Sequence, residues 1–207
     1  MKAKEFWSDS ITKRSFEKLL EISKKYDVTV IGGWAAYLWT GMHKSKDIDL
    51  IVDYDMLLAI RSEYTVEKNE RLRKYEIKGE DFDIDLYLPS YSALPLPIET
   101  ILKNTRVVNG IKVPAPEILI ILKQSAEINR RGSIKGRKDI IDIITLLVHT
   151  EFDIRKYRHF LKKAKIEYFE KELLNEINSL GVEDLAYIGL DLNEFAKWKR
   201  RFFEKLK

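Results

Sequence analysis

The chain has 207 residues, of which 45% are hydrophobic and 34% are charged, so it can bury a core beneath a charged surface. It contains no cysteine, which excludes disulfides, Cys-ligated zinc, iron–sulfur clusters and thiol catalysis. Its three histidines form no His-x-x-x-His pair, which excludes a zinc site of that kind. A net charge of +4 neither requires nor excludes a nucleic-acid partner.

Apolar runs are short throughout the chain. The longest, at residues 28–39 and 118–122, fall below the roughly 20 residues that span a bilayer. Residues 1–10 carry no apolar signal core. We therefore expect a soluble, cytoplasmic protein without a membrane partner.

The N-terminal half predicts helices alternating with strands. Apolar spacing and alternation indicate helices at 10–26, 34–39 and 56–63 and strands at 27–31, 47–53, 71–77 and 81–88. Three prolines interrupt regular structure at 89–97. The dipeptide Asn109-Gly110, a strong hairpin signal, lies within 106–113.

The C-terminal half predicts helices alone, at 114–127, 138–149, 153–163, 166–180 and 191–206. Asp191 and Glu194 have the spacing of a capping box. We therefore predict an α+β protein, in which a mixed sheet with flanking helices precedes a helical half. The predicted domains are residues 1–113, which carry the chemistry, and residues 114–207.

Residues 31–50 contain the sequence pattern that most strongly indicates a catalytic or ligand-binding site. Gly32 and Gly33 end a strand and open a helix, where bare backbone N–H groups can face a phosphate. Asp47 and Asp49 follow on a predicted strand, where residues two apart share a face. Two adjacent carboxylates repel each other unless a cation lies between them, and Mg²⁺ carried by a nucleoside triphosphate suits such oxygen ligands.

A third carboxylate is available on the strand at 81–88, where alternate aspartates share one face. Asp83 and Asp85 are the alternatives, and Asp85 is favoured because apolar residues flank it on both sides. Two magnesium ions held by three carboxylates would activate an attacking hydroxyl and stabilise a pyrophosphate leaving group. The alternative interpretation is that these acids form only the solvated face of amphipathic strands, which leaves the double glycine unexplained.

Basic residues of the second half offer a counterpart to the carboxylates. Lys123 follows five apolar residues on a predicted helix, so it either snorkels or points into a polar cleft. Gly132 and Gly136 predict a flexible loop, and the basic cluster around it comprises Lys123, Arg130, Arg131, Lys135, Arg137 and Lys138. Such a cluster would hold triphosphate oxygens, although a solvated loop would have the same composition.

Ile31-Gly32-Gly33, a spacer of thirteen residues and Asp47-Ile48-Asp49-Leu50 resemble the signature of the DNA polymerase β-like nucleotidyltransferases. The resemblance implies a nucleotidyltransferase fold, metal ligands at Asp47, Asp49 and Asp85, and Mg²⁺ or Mn²⁺ as cofactor. It also implies that the substrate is a nucleoside triphosphate, such as ATP, bound at Gly32 and Gly33.

Residues 44–49 are similar to the Arg-x-Thr/Ser-x-Asp-x-Asp segment of AbiEii-type and MenT-type toxin nucleotidyltransferases. This narrower resemblance implies functional roles for Ser45, Lys123 and Asp139. Lys138, a member of the basic cluster, is predicted as a further phosphate contact. It implies tRNA as the acceptor and a cognate antitoxin protein as a partner. His43 stands where that group usually has arginine.

Two alternatives stay open at this point. One is transfer of AMP to a side-chain hydroxyl of a protein, and the other is a non-catalytic nucleotide-binding module of the same fold. A nucleic-acid surface is predicted at residues 130–138 and on the C-terminal helix, where Trp198, Phe202 and Phe203 lie among basic residues. For these aromatic side chains, packing on the core is the favoured interpretation.

Overall fold

The computed structural model describes residues 6–206 and shows a mixed α+β fold. Seven strands form one sheet: β1 (Thr29–Ile31), β2 (Ile48–Ile51), β3 (Glu67–Asn69), β4 (Lys74–Ile77), β5 (Ile84–Tyr87), β6 (Thr105–Val108) and β7 (Ile111–Pro114). Their order in the sheet is β3-β4-β5-β2-β1-β7-β6. β2 pairs in parallel with β5, and β1 pairs in parallel with β7, whereas the other pairs are antiparallel.

Helices precede, interrupt and follow the sheet. Within residues 6–206, α1 (Asp9–Lys25) precedes the strands, and three helices lie among them: α2 (Gly32–Thr40), α3 (Tyr54–Arg61) and α4 (Ile98–Leu102). Six follow it: α5 (Pro116–Arg130), α6 (Ile134–His149), α7 (Ile154–Ala164), α8 (Tyr168–Ser179), α9 (Val182–Ile188) and α10 (Leu192–Lys205). Within residues 6–206, no helix combines the length and apolar character needed to cross a membrane.

The sheet gives way to helices between Pro114 and Pro116, where β7 ends and α5 begins. The two halves nevertheless share one cluster of buried hydrophobic side chains, which runs from Leu19 on α1 to Phe202 on α10. α5 and α6 pack along each other and against α2, so the helical half lies directly on the helix that follows the double glycine. The division into two domains stays a prediction.

Local chemistry explains where several elements differ from the sequence prediction. The strand predicted at 47–53 is shorter, because Asp53 caps α3 by accepting a hydrogen bond from the Met56 N–H at 2.7 Å. Asp47 lies before the strand rather than on it. The strand predicted at 71–77 begins only at Lys74, because Arg73 adopts a positive φ of 50°. β3, α4 and α9 were not predicted.

The loop predicted around Gly132 and Gly136 is also shorter. Ser133 accepts a hydrogen bond from the Gly136 N–H at 3.0 Å and thereby caps α6, so Gly136 lies in the first turn of that helix. Only residues 131–133 connect α5 to α6. The expectation of a flexible basic loop across 130–138 is therefore wrong, since most of those residues are helical.

Two local predictions are confirmed. Asn109 and Gly110 take φ values of 50° and 79° between the antiparallel strands β6 and β7, as the hairpin signal requires. Asp191 and Glu194 form the capping box of α10. On that helix Phe202 is buried and stacks on Trp198 with ring centroids 5.1 Å apart, so this aromatic pair packs on the core.

The packing of Phe202 generates a stability prediction. Phe202→Ala should lower the free energy of unfolding by about 3 kcal/mol, because it removes a buried ring and leaves a cavity. Lys197→Ala on the exposed side of the same helix should change it by less than about 0.5 kcal/mol. Urea unfolding followed by circular dichroism measures both, and equal effects would contradict a core role for Phe202.

Candidate active site

A cavity of about 480 Å³ opens where the sheet meets α5 and α6. All nine residues predicted for the site line it: Gly32, Gly33, Ser45, Asp47, Asp49, Asp85, Lys123, Lys138 and Asp139. They come from both halves of the chain. Asp49 and Asp85 lie on the sheet, the glycines begin α2, and Ser45 and Asp47 precede β2, whereas Lys123, Lys138 and Asp139 lie on α5 and α6. The fold therefore brings together residues that are separated by as much as 107 positions, from Gly32 to Asp139.

The double glycine allows the turn before α2 to lie directly against the acids. Gly32 has a φ of +67°, and a Cβ added there would overlap the carboxylate of Asp49. A Cβ added at Gly33 would overlap the hydroxyl of Ser45 and would lie 3.4 Å from the Lys138 Nζ. Both positions therefore require glycine for close approach, and the backbone N–H groups at the start of α2 lie between an anionic wall and a cationic one.

Asp49 and Asp85 are direct partners in the parallel register of β2 and β5. Residues paired in this way point to the same face of a sheet, so the two carboxyl groups are neighbours. Asp49 lines the cavity but has lost most of its hydration. This desolvation and the adjacent Asp85 raise its pKa from 3.8 to about 7. Desolvation likewise raises the pKa of Asp85, although a lysine beside it opposes the effect.

That lysine is Lys74 on β4, whose Nζ donates to Asp85 Oδ2 at 2.6 Å and lies 2.8 Å from Glu76 Oε1. The other oxygen, Asp85 Oδ1, is buried and has no hydrogen-bond partner among residues 6–206. Asp49 Oδ1 accepts a hydrogen bond from the Tyr87 hydroxyl at 3.3 Å. Each carboxylate is thus held by one neighbouring side chain.

Asp47 lies at the mouth of the cavity and points to a cation of the helical half. Its Oδ2 accepts from the Lys135 Nζ at 2.7 Å, and its Oδ1 accepts from the Asp83 backbone N–H at 3.4 Å. Asp83 itself does not line the cavity, and its carboxylate pairs with Lys78 at 3.0 Å. Of the two candidates for the third carboxylate, the structure places Asp85 in the cavity and Asp83 outside it.

These observations bear on whether a divalent cation fits. Two neighbouring carboxylates with raised pKa values and an unpartnered buried oxygen are the chemistry that a divalent cation relieves. However, among residues 6–206 no three acidic or histidine side chains converge closely enough to hold a metal ion, because Asp47 is turned toward Lys135. Asp49 and Asp85 therefore fit a cation, and participation of Asp47 stays a prediction.

Opposite the acids, α5 and α6 carry a buried network of charges. Lys123 Nζ lies 3.0 Å from Asp139 and 2.7 Å from Asp142, and Lys138 Nζ lies 2.9 Å from the same Asp142 carboxylate. Arg130 closes the network by contacting Asp139 at 2.6 Å. Three cations therefore share two carboxylates, which leaves the network one positive charge in excess next to the glycine turn.

The pKa values within this network follow from burial and pairing. Burial lowers the pKa of Lys123, but Asp142 and Asp139 more than offset this, so its pKa lies above the ordinary value. Burial also lowers the pKa of Lys138, and because Asp142 offsets only part of the effect its pKa lies below the ordinary value. Burial raises the pKa of Asp142, but Lys123 and Lys138 bring it below the ordinary value.

The basic cluster predicted at residues 130–138 does not face the cavity as a unit. Arg131 pairs with Glu127 and Glu172, each at 2.8 Å, and Arg137 pairs with Asp184. The expectation that all six basic residues serve the site is therefore wrong for these two arginines. Their sequence position could not reveal this, because Glu172 and Asp184 lie on helices far along the chain.

Several cavity residues were not predicted. Lys74 and Tyr87 contact the two acids, and Trp7 adds an aromatic side chain to the wall. Asp142 lies behind the wall and holds both lysines. Two of them had a signal in the sequence, since Tyr87 follows Asp85 at the strand period and Asp142 follows Asp139 at the helix period. Lys74 had none, because strand pairing alone brings it to Asp85.

No family model matches the chain, and no curated protein matches it. Two solved structures are similar to it at low identity. One is an antigenic nucleotidyltransferase-like protein from Paracoccidioides brasiliensis, 19% identical, with 83% of this chain and 94% of that chain covered at a TM-score of 0.44. The other is JHP933 from Helicobacter pylori, 15% identical, with 95% and 97% covered at a TM-score of 0.47.

Gly32→Ala tests the close approach of the glycine turn to Asp49. The variant should lose the rise in melting temperature that ATP with Mg²⁺ is expected to give, because its Cβ occupies the space of the Asp49 carboxylate. Gly41→Ala is the matched control, since Gly41 has a similar φ of +70° and nothing within 4 Å of its added Cβ. Loss of the shift in both variants would indicate backbone strain rather than a site effect.

The raised pKa of Asp49 predicts a pH-dependent stability without added metal. The unfolded chain releases this proton near pH 3.8, whereas the folded protein keeps it until about pH 7, so folding stability falls as pH rises between these values. Asp49→Asn has no such proton. Its free energy of unfolding should exceed the wild-type value by at least about 1 kcal/mol at pH 8 and by less at pH 5, since one pKa unit corresponds to about 1.4 kcal/mol.

Thermal and urea unfolding in a chelating buffer at both pH values measures this difference. A constant difference between Asp49→Asn and wild type across the range would contradict the raised pKa.

Proposed function

We propose that this protein is a nucleotidyltransferase that moves a nucleotidyl group from a nucleoside triphosphate to an acceptor hydroxyl. One observation carries the proposal: the paired carboxylates of Asp49 and Asp85 face a buried cationic network across the glycine turn, inside one cavity. A cavity with carboxylates on one side and lysines on the other suits a nucleoside triphosphate, because some of its phosphate oxygens bind a metal ion and others bind cationic side chains.

On the cationic side, the triphosphate would contact the backbone N–H groups after Gly32 and the Nζ atoms of Lys123 and Lys138. The excess positive charge of the network supports this role, since it is not consumed by Asp139 and Asp142. Ser45 lies beside Gly33 and would add a hydroxyl donor. Asp139 would act by positioning Lys123 and Arg130 rather than by touching substrate.

On the anionic side, Asp49 and Asp85 would hold Mg²⁺ or Mn²⁺, and Asp47 would join them once its side chain leaves Lys135. When bound, the divalent cation supplies Lewis-acid stabilisation of the phosphoryl oxygens. Asp85 Oδ1 would accept the proton of the attacking hydroxyl, a role supported by its lack of a hydrogen-bond partner among residues 6–206. As the new oxygen–phosphorus bond forms, the bond to pyrophosphate breaks and pyrophosphate leaves along the lysine wall.

For the acceptor we propose an RNA. The resemblance to AbiEii-type and MenT-type toxins implies tRNA, the role of a toxin and a cognate antitoxin partner. Transfer of AMP to a protein hydroxyl is the competing acceptor chemistry. A non-catalytic binding module is less well supported, because the glycines, the paired acids and Lys123 all line the cavity.

Incubation with each α-labelled nucleoside triphosphate, Mg²⁺ and total tRNA tests the proposed activity. Wild type should label RNA, and Asp85→Asn should reduce the rate at least about a hundredfold, because metal-ion stabilisation contributes several kcal/mol. Asp83→Asn is the matched control, since this acid lies two residues earlier and outside the cavity. It should retain activity.

The location of the label separates the candidate acceptors. Label on polypeptide rather than RNA would favour the protein acceptor. Absence of label with every triphosphate would contradict the enzymatic proposal, and equal loss in both aspartate variants would contradict the assignment of Asp85.

A further inference from the structure

Helix α7 (Ile154–Ala164) has two sharply different faces. Tyr157 and Leu161 are buried in the core, at 0% and 1% exposure. The opposite face is exposed and basic, and its members are Arg155, Lys156, Arg158, Lys162 and Lys163. Arg155, Arg158 and Lys162 form one row at spacings of three, four and seven residues, and Lys156 and Lys163, seven apart, form a neighbouring row. We call these two rows the α7 basic face.

Much of the charge on the α7 basic face is not neutralised. Arg158 pairs with Glu170 at 2.6 Å, and Arg155 has a long contact of 3.7 Å with Asp153. Within residues 6–206, no acidic side chain forms an ion pair with Lys156, Lys162 or Lys163. The basic residues of 130–138 differ in this respect, because Arg131 and Arg137 are each paired with acids.

The α7 basic face also lies close to the proposed active site. Phe160, Lys163 and Ala164 line a second cavity of about 480 Å³. Leu94 and Pro95 line both this cavity and the catalytic one, so a single turn of chain separates the two. At Lys163, the α7 basic face therefore borders a cavity that adjoins the proposed active site at Leu94 and Pro95.

We propose that the α7 basic face is the docking surface for the phosphate backbone of an RNA acceptor, an inference that rests on the proposed function. Lysines that are exposed and form no ion pair within residues 6–206 complement a backbone with one negative charge per nucleotide. An anionic membrane is the other polyanion such a helix attracts. It is disfavoured because insertion requires an apolar face, and that of α7 is already buried by Tyr157 and Leu161.

The test compares two triple variants with wild type. Lys156, Lys162 and Lys163 are changed to Gln on α7, and Lys197, Arg200 and Arg201 are changed to Gln on α10 as the matched control. The control residues are equally exposed and basic, but none of them lines either cavity. The probe is fluorescein-labelled tRNA, and anisotropy gives its affinity at 50 and 200 mM KCl.

Between these salt concentrations, wild-type affinity should fall about 20- to 60-fold more than that of the α7 variant, because each lost phosphate contact lowers the salt slope by about 0.7 to 1. The sequence alone also predicted a nucleic-acid surface on α10, but the α10 variant should behave as wild type, because its changed residues line neither cavity. Equal affinities and slopes for wild type and the α7 variant would overturn the proposal. An equal loss in the α10 variant would overturn it as well.

Two further measurements keep the outcomes distinct. Binding of wild type, but not of the α7 variant, to phosphatidylserine vesicles without tRNA binding would replace RNA by a membrane and overturn the proposal. The rise in melting temperature with ATP and Mg²⁺ should be unchanged in the α7 variant. If wild type itself lacks that rise yet binds tRNA through α7, the proposed function fails while the docking surface stands.

Discussion

The parallel pairing of β2 with β5 imposes the constraint on which the rest of the site depends. It places Asp49 beside Asp85 on one face of the sheet, and two neighbouring carboxylates that have lost their hydration repel each other when both are ionised. A fold keeps such a pair only where surrounding charges offset the cost. Lys74 offsets part of it for Asp85, and Lys135 holds Asp47 nearby. The remaining oxygen, Asp85 Oδ1, is buried and has no hydrogen-bond partner within the part of the chain that the structure describes.

On the cationic side of the cavity, positive charges lie close together, and neighbouring carboxylates offset their repulsion. Three cations of α5 and α6 lie together with only two carboxylates, and Asp142 holds both lysines from behind. Removing a buried partner from such a network leaves an uncompensated charge, which costs several kcal/mol in typical cases. Asp142 therefore serves rigidity as well as charge balance. It keeps Lys123 and Lys138 beside the glycine turn without occupying the cavity.

The sequence was sufficient to predict residues whose role depends on local pattern. Local spacing was enough to identify the double glycine, the alternating acids, Lys123 and the Asn109-Gly110 hairpin. Every predicted site residue lines the cavity. What could not be predicted depends on pairing between distant segments. Lys74 reaches Asp85 only through strand order, and Arg131 is diverted by Glu172 on α8. The α7 basic face was missed because its lysines differ from the basic residues of 130–138 only once Arg131 and Arg137 are seen to pair with distant acids.

The cavity lies between the sheet and the helices α5 and α6, so its lining depends on residues from both halves of the chain. Neither half alone supplies both walls of the cavity, because Asp49 and Asp85 belong to β2 and β5 whereas Lys123 and Lys138 belong to α5 and α6. The shared hydrophobic cluster fixes the two walls relative to each other. Packing of α5 and α6 on α2 then sets the width of the cavity, since α2 begins at the glycine turn itself. The helical half therefore contributes residues to the candidate active site.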